Sequence, residues 1–296
     1  MPRSLLPAFA VLRMKAAERA ALNIVFDADG LHADERVDFT GLSPTGPTYR
    51  ILRDIEMQML LRSDTVLTRT AASRSILLAR AGGGLAEDHC HLVTNGVDPS
   101  PFIRALAAPR PDPAPEAGPV LCYCGSIGAQ YRLPDMLDVA LRLRARIPGL
   151  QFRVISQATD AVQADLARHG LLQADWIDLR APRPEDVPAE LARCDLGIAL
   201  RLPAFSTRAV LPIKLGEYLL AGLPILGTPG VGNTAELAAA GVFRSAEAED
   251  LDQTVTWLVD TVLPARAALR QTCHEIGLRD YLSLIHISEP TRLRRI

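Results

Sequence analysis

The chain has 296 residues, 48% hydrophobic and 22% charged, with 32 Lys and Arg against 34 Asp and Glu for a formal charge of −2. That length suits about two domains of roughly 150 residues. The composition excludes wholesale disorder, and without a basic excess the sequence predicts no nucleic-acid partner. No run of about 18 apolar residues marks a membrane-spanning helix. The Pro-interrupted start, followed at once by Arg13 and Lys15, makes a poor signal peptide. The five cysteines form no CxxC and no disulfide-like framework, so they read as reduced, mostly buried thiols in a cytosolic protein.

Residues 5–19 have helical spacing, with Arg3, Arg13, Lys15 and Arg19 on the polar side. A strand is predicted over 23–26, an amphipathic helix over 49–62, a strand over 65–68, a helix over 73–80 stopped by Gly82, Gly83 and Gly84, and a strand over 91–93. Three strands in residues 1–104 make half a doubly wound sheet, without its usual first strand and Gly-rich turn. The expectation is an incomplete N-terminal domain with an exposed sheet edge. Residues 105–118, rich in Pro and Ala, read as a linker. Beyond it, strands at 120–124, 152–155, 176–179, 196–200 and 225–227 alternate with helices at 133–147, 161–169, 185–193, 213–221 and 234–240. Two more helices follow at 251–262 and 265–276. This alternation predicts an α/β fold with a doubly wound parallel sheet over 119–281. Residues 282–296 read LSLIHISEPTRLRRI, and the first eleven resemble the in-frame translation of a sequencing-library adapter. The segment is therefore expected to be no part of the fold.

The chemistry-bearing positions cluster where strands meet helices. Gly125-Ser126-Ile127-Gly128 follows a predicted strand and precedes a helix, where backbone N–H groups can approach a phosphate. Lys214 and Glu217 are three apart near the start of a helix opened by Pro212, so they share a face. A Lys there adds charge to a phosphate site, and a carboxylate can hold both hydroxyls of a ribose. Without a ligand, Glu217 would serve the helix dipole and Lys214 would be a solvated side chain. Asn95-Gly96-Val97-Asp98, with Phe102 after it, is a tight turn leaving a strand. Asp27-Ala28-Asp29 is a weak metal signature, because such triplets arise by chance and Asp250-Leu251-Asp252 is another. The histidines show no metal-ligand spacing, and no metal site is predicted. His32, beside the end of the 23–26 strand, is the one catalytic candidate among them.

Five segments, NGVDPSPF (95–102), GSIG (125–128) with the following Tyr131, CDLGIAL (194–200), PIKLGEYLLAGLPIL (212–226) and PGVGNTAEL (229–237), resemble retaining GT-B glycosyltransferases of family 4, the group 1 glycosyl transferases. The resemblance covers about residues 24–279 and is strongest over 125–237. It implies two Rossmann-like domains, a nucleotide diphosphate sugar as donor, held mainly by the C-terminal one, and no cofactor or bound metal. It also implies a glycan or lipid-linked acceptor, a cytoplasmic location at the inner face of the membrane, and peripheral contact with that membrane. Carried over by residue, Glu217 matches the second Glu of the E-x7-E motif, which binds the donor ribose. Gly125 and Ser126 match the loop near the donor phosphates, with Tyr131 after it, and Lys214 lies near the diphosphate in variants that read P-x-K-x-x-E-Y. Arg180 and Arg183 fall in the loop expected near the base. The sequence departs from the pattern at Ala209, where the first Glu of E-x7-E belongs, and at Ser156 and Gln157, where many relatives have Gly. The implied activity is sugar transfer with retention. The alternatives are a non-catalytic nucleotide-sugar-binding pseudoenzyme, motivated by Ala209, and a GT-B nucleotide-sugar epimerase.

Overall fold

The computed structural model describes residues 1–109 and 118–282, which divide into two units. The first comprises Met1–Thr94 together with Pro203–Leu211 and Gly230–Asn233. Its sheet has three parallel strands, β1 (Val25–Asp27), β2 (Thr65–Thr68) and β3 (Cys90–Leu92), in that order. The free edge of β1 is partly satisfied, because Asp27 N–H donates to the Pro2 carbonyl at 2.9 Å and Ser4 N–H to the Asp27 carbonyl at 3.2 Å. Helices Pro47–Arg62 and Ala71–Ala81 start and stop where their sequences direct. Pro47 occupies the first turn, Thr70 and Ser73 form a capping box, and Gly82 takes the left-handed conformation that ends the second helix. Phe26, Leu31, Met59, Leu60, Val66 and Leu77 form the buried core of this unit. The predicted 5–19 helix is two helices, Leu5–Leu12 and Ala16–Ala20, with the Arg19 guanidinium on the Leu12 carbonyl.

The second unit comprises Asn95–Leu202, Pro212–Pro229 and the chain from Thr234 onward. Its strands are β4 (Val120–Cys124), β5 (Gln151–Ile155), β6 (Ile177–Arg180), β7 (Leu196–Ala199), β8 (Ile225–Gly227) and β9 (Phe243–Ser245). They form one parallel sheet in the order β6-β5-β4-β7-β8-β9. Helices Leu133–Arg146, Thr159–Arg168, Val187–Ala192, Ile213–Leu220, Thr234–Ala239, Leu251–Trp257 and Arg266–Asp280 intervene or follow. The core runs through Leu121, Tyr123, Met136, Leu143, Phe152, Val154 and Ile198.

Three expectations change. The boundary between units falls at Thr94 and Asn95 instead of within 105–118. Residues 105–107 are helical, inside Ser100–Ala107, which packs against Val187–Ala192, and Phe102 is buried. Val97 N–H donates to the Tyr281 carbonyl at 2.8 Å, which ties this stretch to the second unit. Residues 110–117 lie outside the described part. Segment Pro203–Leu211 belongs to the first unit because Ser206 N–H donates to Asp38, the Thr70 hydroxyl donates to the Arg208 carbonyl, and Ala209 is buried in that core. Strand β9, of sequence Phe-Arg-Ser, was not predicted. Of the tail, Leu282 forms a bridge with Val97, and 283–296 lie outside the described residues. No described helix is long and apolar enough to cross a membrane.

Gly197 makes β7 dependent on one side chain above it. A Cβ at 197 would lie 2.4 Å from the Tyr218 ring. Gly197→Ala is expected to destabilise the protein by about 1–3 kcal/mol through overpacking, read as a lower urea midpoint with an unchanged m-value.

Candidate functional site

The sheet of the second unit reverses direction of growth between β4 and β7. From β4 it extends through β5 and β6, and from β7 through β8 and β9. The two strands pair only at Leu121 with Leu196 and at Cys122 with Gly197, then part. The Tyr218 hydroxyl fills the split, accepting from Cys124 N–H at 2.8 Å and donating to the Ile198 carbonyl at 3.2 Å. Such a reversal, at the carboxyl ends of parallel strands, is where open α/β sheets bind ligands.

Helix Ile213–Leu220 carries Lys214, Glu217 and Tyr218 to this point. Its buried residues Leu215, Tyr218, Leu219 and Leu220 hold it on the sheet. Gly216 accepts the Tyr281 ring and Gly277 the backbone of Leu219 and Leu220, so helix Arg266–Asp280 approaches closely behind. The turn after β4 starts at Gly125, whose φ of +139° strongly favours glycine. The space a Cβ would take there is filled by the Lys214 ammonium, 2.9 Å away.

The Lys214 Nζ donates to the Tyr123 hydroxyl at 3.0 Å. It also lies 4.2 Å from the Tyr123 ring centre and 4.7 Å from that of Tyr131. No described carboxylate comes within ion-pair distance of it. Burial lowers Lys214 to about 8; the Arg201 charge adds to this, while Cys124 and Glu217 oppose it. Burial likewise raises the Glu217 carboxyl, with Lys214 pulling it back. Glu217 is the fifth residue of its helix, beyond the first turn, so a helix-dipole role has little support. Lys214 is no solvated side chain either. The ammonium lies between two tyrosine rings beside a glycine turn, an arrangement with the charge and geometry to meet an anion.

The structure thus brings Gly125, Ser126, Tyr131 and Lys214 together, with Glu217 one helical turn along. Arg180 and Arg183 form ion pairs of their own. Arg180 pairs with Asp178 at 2.8 Å and Glu190 at 3.0 Å, and the exposed Arg183 with Glu185 and Asp186. Two residues that the sequence reading missed belong to the site. Tyr123 is one, and its place two residues before Gly125 on a strand was a usable signal. Arg201 is the other, 5.2 Å from the Tyr131 ring centre and hydrogen-bonded to Gln130 at 2.5 Å. It follows the carboxyl end of β7, a position that the α/β pattern marks.

In the first unit, Asp27 and Asp29 are held by arginines. Arg69 donates to Asp27 at 2.6 and 2.8 Å and to Asp29 at 2.8 Å, and Arg3 also pairs with Asp29. His32 opens helix His32–Thr40, with Nδ1 3.7 Å from Glu35 and a buried Nε2 that has no hydrogen-bond partner among the described residues. Among the described residues, no group of three or more His, Cys, Asp or Glu is arranged to hold a metal ion. All five cysteines are buried and free.

No family model matches the chain. It is 24% identical over 202 residues to the "Putative teichuronic acid biosynthesis glycosyltransferase TuaH" of Bacillus subtilis (strain 168), a match that covers 68% of this chain. It spans about half of that protein's length, 49%. Among solved structures, Anabaena Alr3699/HepE in complex with UDP superposes with a TM-score of 0.66 at 14% identity, covering 95% of this chain and 74% of that one. WaaG, a glycosyltransferase involved in lipopolysaccharide biosynthesis, superposes with a TM-score of 0.61 at 17% identity, covering 87% and 70%. OtsA, a trehalose-6-phosphate synthase, gives 0.64 at 14% identity, covering 94% and 69%. The α/β architecture with parallel sheets is that of these GT-B neighbours.

Proposed function

We propose that the chain is a glycosyltransferase of family 4 that takes a hexosyl or related sugar from a nucleoside diphosphate carrier and transfers it, with retention, to a glycan or lipid-linked acceptor. The observation that carries this reading is the Lys214 ammonium, partly buried and without a carboxylate partner among the described residues, at the point where the sheet reverses and against the Gly125 turn. A diphosphate supplies the missing negative charge, and Glu217, on the same helix face, is placed to accept from the ribose hydroxyls. As the sugar leaves, charge grows on the diphosphate. Lys214 and the turn N–H groups are fixed in advance to stabilise it, while the sugar passes through an oxocarbenium-like state. With retention the departing phosphate assists the incoming hydroxyl, so the reading assigns no protein base. His32 is the side chain whose replacement tests that point. The support from relatives is of the same kind, since the Anabaena protein was crystallised with UDP and with UDP-glucose. Ala209 favours a second reading, a non-catalytic nucleotide-sugar-binding protein, because its position brings no carboxylate and is buried in an apolar cluster. Sugar transfer, assayed alongside binding, separates the two.

The direct test is calorimetric titration with UDP, ADP, GDP and dTDP and with their nucleosides. One diphosphate is expected to bind well and its nucleoside much more weakly, and at 100 times its Kd the diphosphate should stabilise the protein by about 2.7 kcal/mol. EDTA is expected to leave the affinity unchanged, because Asp27 and Asp29 already satisfy Arg3 and Arg69. Absence of diphosphate binding would overturn the reading, and a strict Mn²⁺ requirement would overturn its metal-free form.

A further inference from the structure

Tyr123 is fully buried on β4, and its hydroxyl has two neighbours of fixed polarity. Lys214 Nζ lies 3.0 Å away, and the hydroxyl donates to the Ser126 carbonyl. An ammonium can only donate and a carbonyl can only accept. With Lys214 charged, the hydrogen bonds therefore run one way, from Lys214 to Tyr123 to Ser126. The peptide between Ser126 and Ile127 is planar and trans, so its carbonyl and its N–H point in opposite directions. Holding the Ser126 carbonyl inward turns the Ile127 N–H away from Tyr123. Among the described residues, the N–H groups of Ser126, Ile127 and Gly128 donate to no protein group.

We infer that Tyr123 is a positioning residue, whose hydroxyl couples the Lys214 ammonium to the Ser126 carbonyl and so turns the Ile127 N–H outward for the diphosphate. The inference rests on the donor-site reading above and goes beyond it, because Tyr123 need not touch the ligand. It also makes the shape of the turn depend on the charge of Lys214. A neutral amine can accept, so loss of that proton lets the Tyr123 hydroxyl donate to Nζ and releases the Ser126 carbonyl. The charged and titratable groups that act on Lys214 are Cys124 and Tyr123 on β4, Tyr131 after the turn, Arg201 after β7, and Glu217 on its own helix. Cys124 is pushed up to about 12 by burial, and Tyr123 is raised further for the same reason, so both stay neutral where Lys214 titrates.

Tyr123→Phe keeps the ring over Nζ and removes only the hydroxyl. It is tested with the diphosphate that binds best among UDP, ADP, GDP and dTDP and with the matching nucleoside. The diphosphate is expected to bind about tenfold more weakly, as for a lost charge-assisted hydrogen bond, with the nucleoside unchanged. The pH above which diphosphate affinity falls should also move down, since the ammonium has lost an acceptor that favoured its charged form. A purely structural role would instead weaken both ligands alike and leave the pH profile in place, which would overturn the inference. Unchanged diphosphate binding by the variant would overturn it too, with the donor reading intact. Failure of the unmodified protein to bind any diphosphate would overturn the donor reading, and this inference with it.

Discussion

Lys214→Met is expected to weaken diphosphate binding by about thirtyfold or more while raising the melting temperature of the unliganded protein. The two effects have one cause. The ammonium is desolvated, has no described carboxylate partner, and feels the charge of Arg201. Losing one partner of a buried, hydrogen-bonded charge pair costs about 2–5 kcal/mol of binding. In the unliganded protein a buried charge without its partner is a cost, and an apolar side chain of similar length removes it. Each kcal/mol gained should raise the melting temperature by about 2–4 °C for a domain of some 150–250 residues.

The pH dependence of the same pair follows. Lys214 titrates at about 8, below its ordinary 10.5. Below about 8 it is charged and diphosphate affinity should be level; above it, affinity should fall by up to tenfold per pH unit. The methionine variant should show no such fall. Stability runs the other way. Between 8 and 10.5 the unfolded chain holds the proton that the folded chain has lost, so the contribution of Lys214 to stability rises with pH in that window. The melting difference between variant and parent should therefore narrow from pH 8 upward. Titration calorimetry and melting curves at pH 7, 8 and 9 read all of these. A variant that binds diphosphate as the parent does would remove the anion site from Lys214.

Glu217→Gln is expected to reduce affinity for the diphosphate and for its nucleoside by the same factor, about ten- to a hundredfold. The charge-assisted hydrogen bonds to a ribose diol are worth about 1.5–3 kcal/mol, and both ligands carry the ribose. Equal loss for both ligands separates Glu217 from Lys214, whose removal should spare the nucleoside. Folding should not suffer. Burial raises the Glu217 carboxyl, which means that its charged form destabilises the folded state above its ordinary titration range, and glutamine relieves that. A helix-dipole partner would behave in the opposite way, losing about 0.3–1 kcal/mol of stability with affinity unchanged. That outcome would remove the ribose role.

Much of the second unit could be read from the chain by itself. The apolar runs that became β4, β5, β7 and β8, and the helix pattern of 213–221, record their burial in local spacing. Lys214 and Glu217 share a face because they are three apart on a helix, and Gly125 follows a strand end, which is also a local fact. The three strands of the first unit were legible for the same reason. What the sequence withheld concerns partners distant along the chain. Arg180 pairs with Glu190, which lies ten residues on and reaches it only when the helix of Val187–Ala192 packs. Tyr123 and Arg201 are an aromatic and a basic residue at strand ends until Lys214, 91 residues from Tyr123, arrives between the tyrosines. Segment Pro203–Leu211 is attached to the first unit by hydrogen bonds to Asp38 and Thr70 that span 168 and 138 residues. Periodicity states which face of an element avoids water. Which side chain meets that face, and whether it neutralises a charge there, is fixed only when the parallel sheet closes the chain on itself.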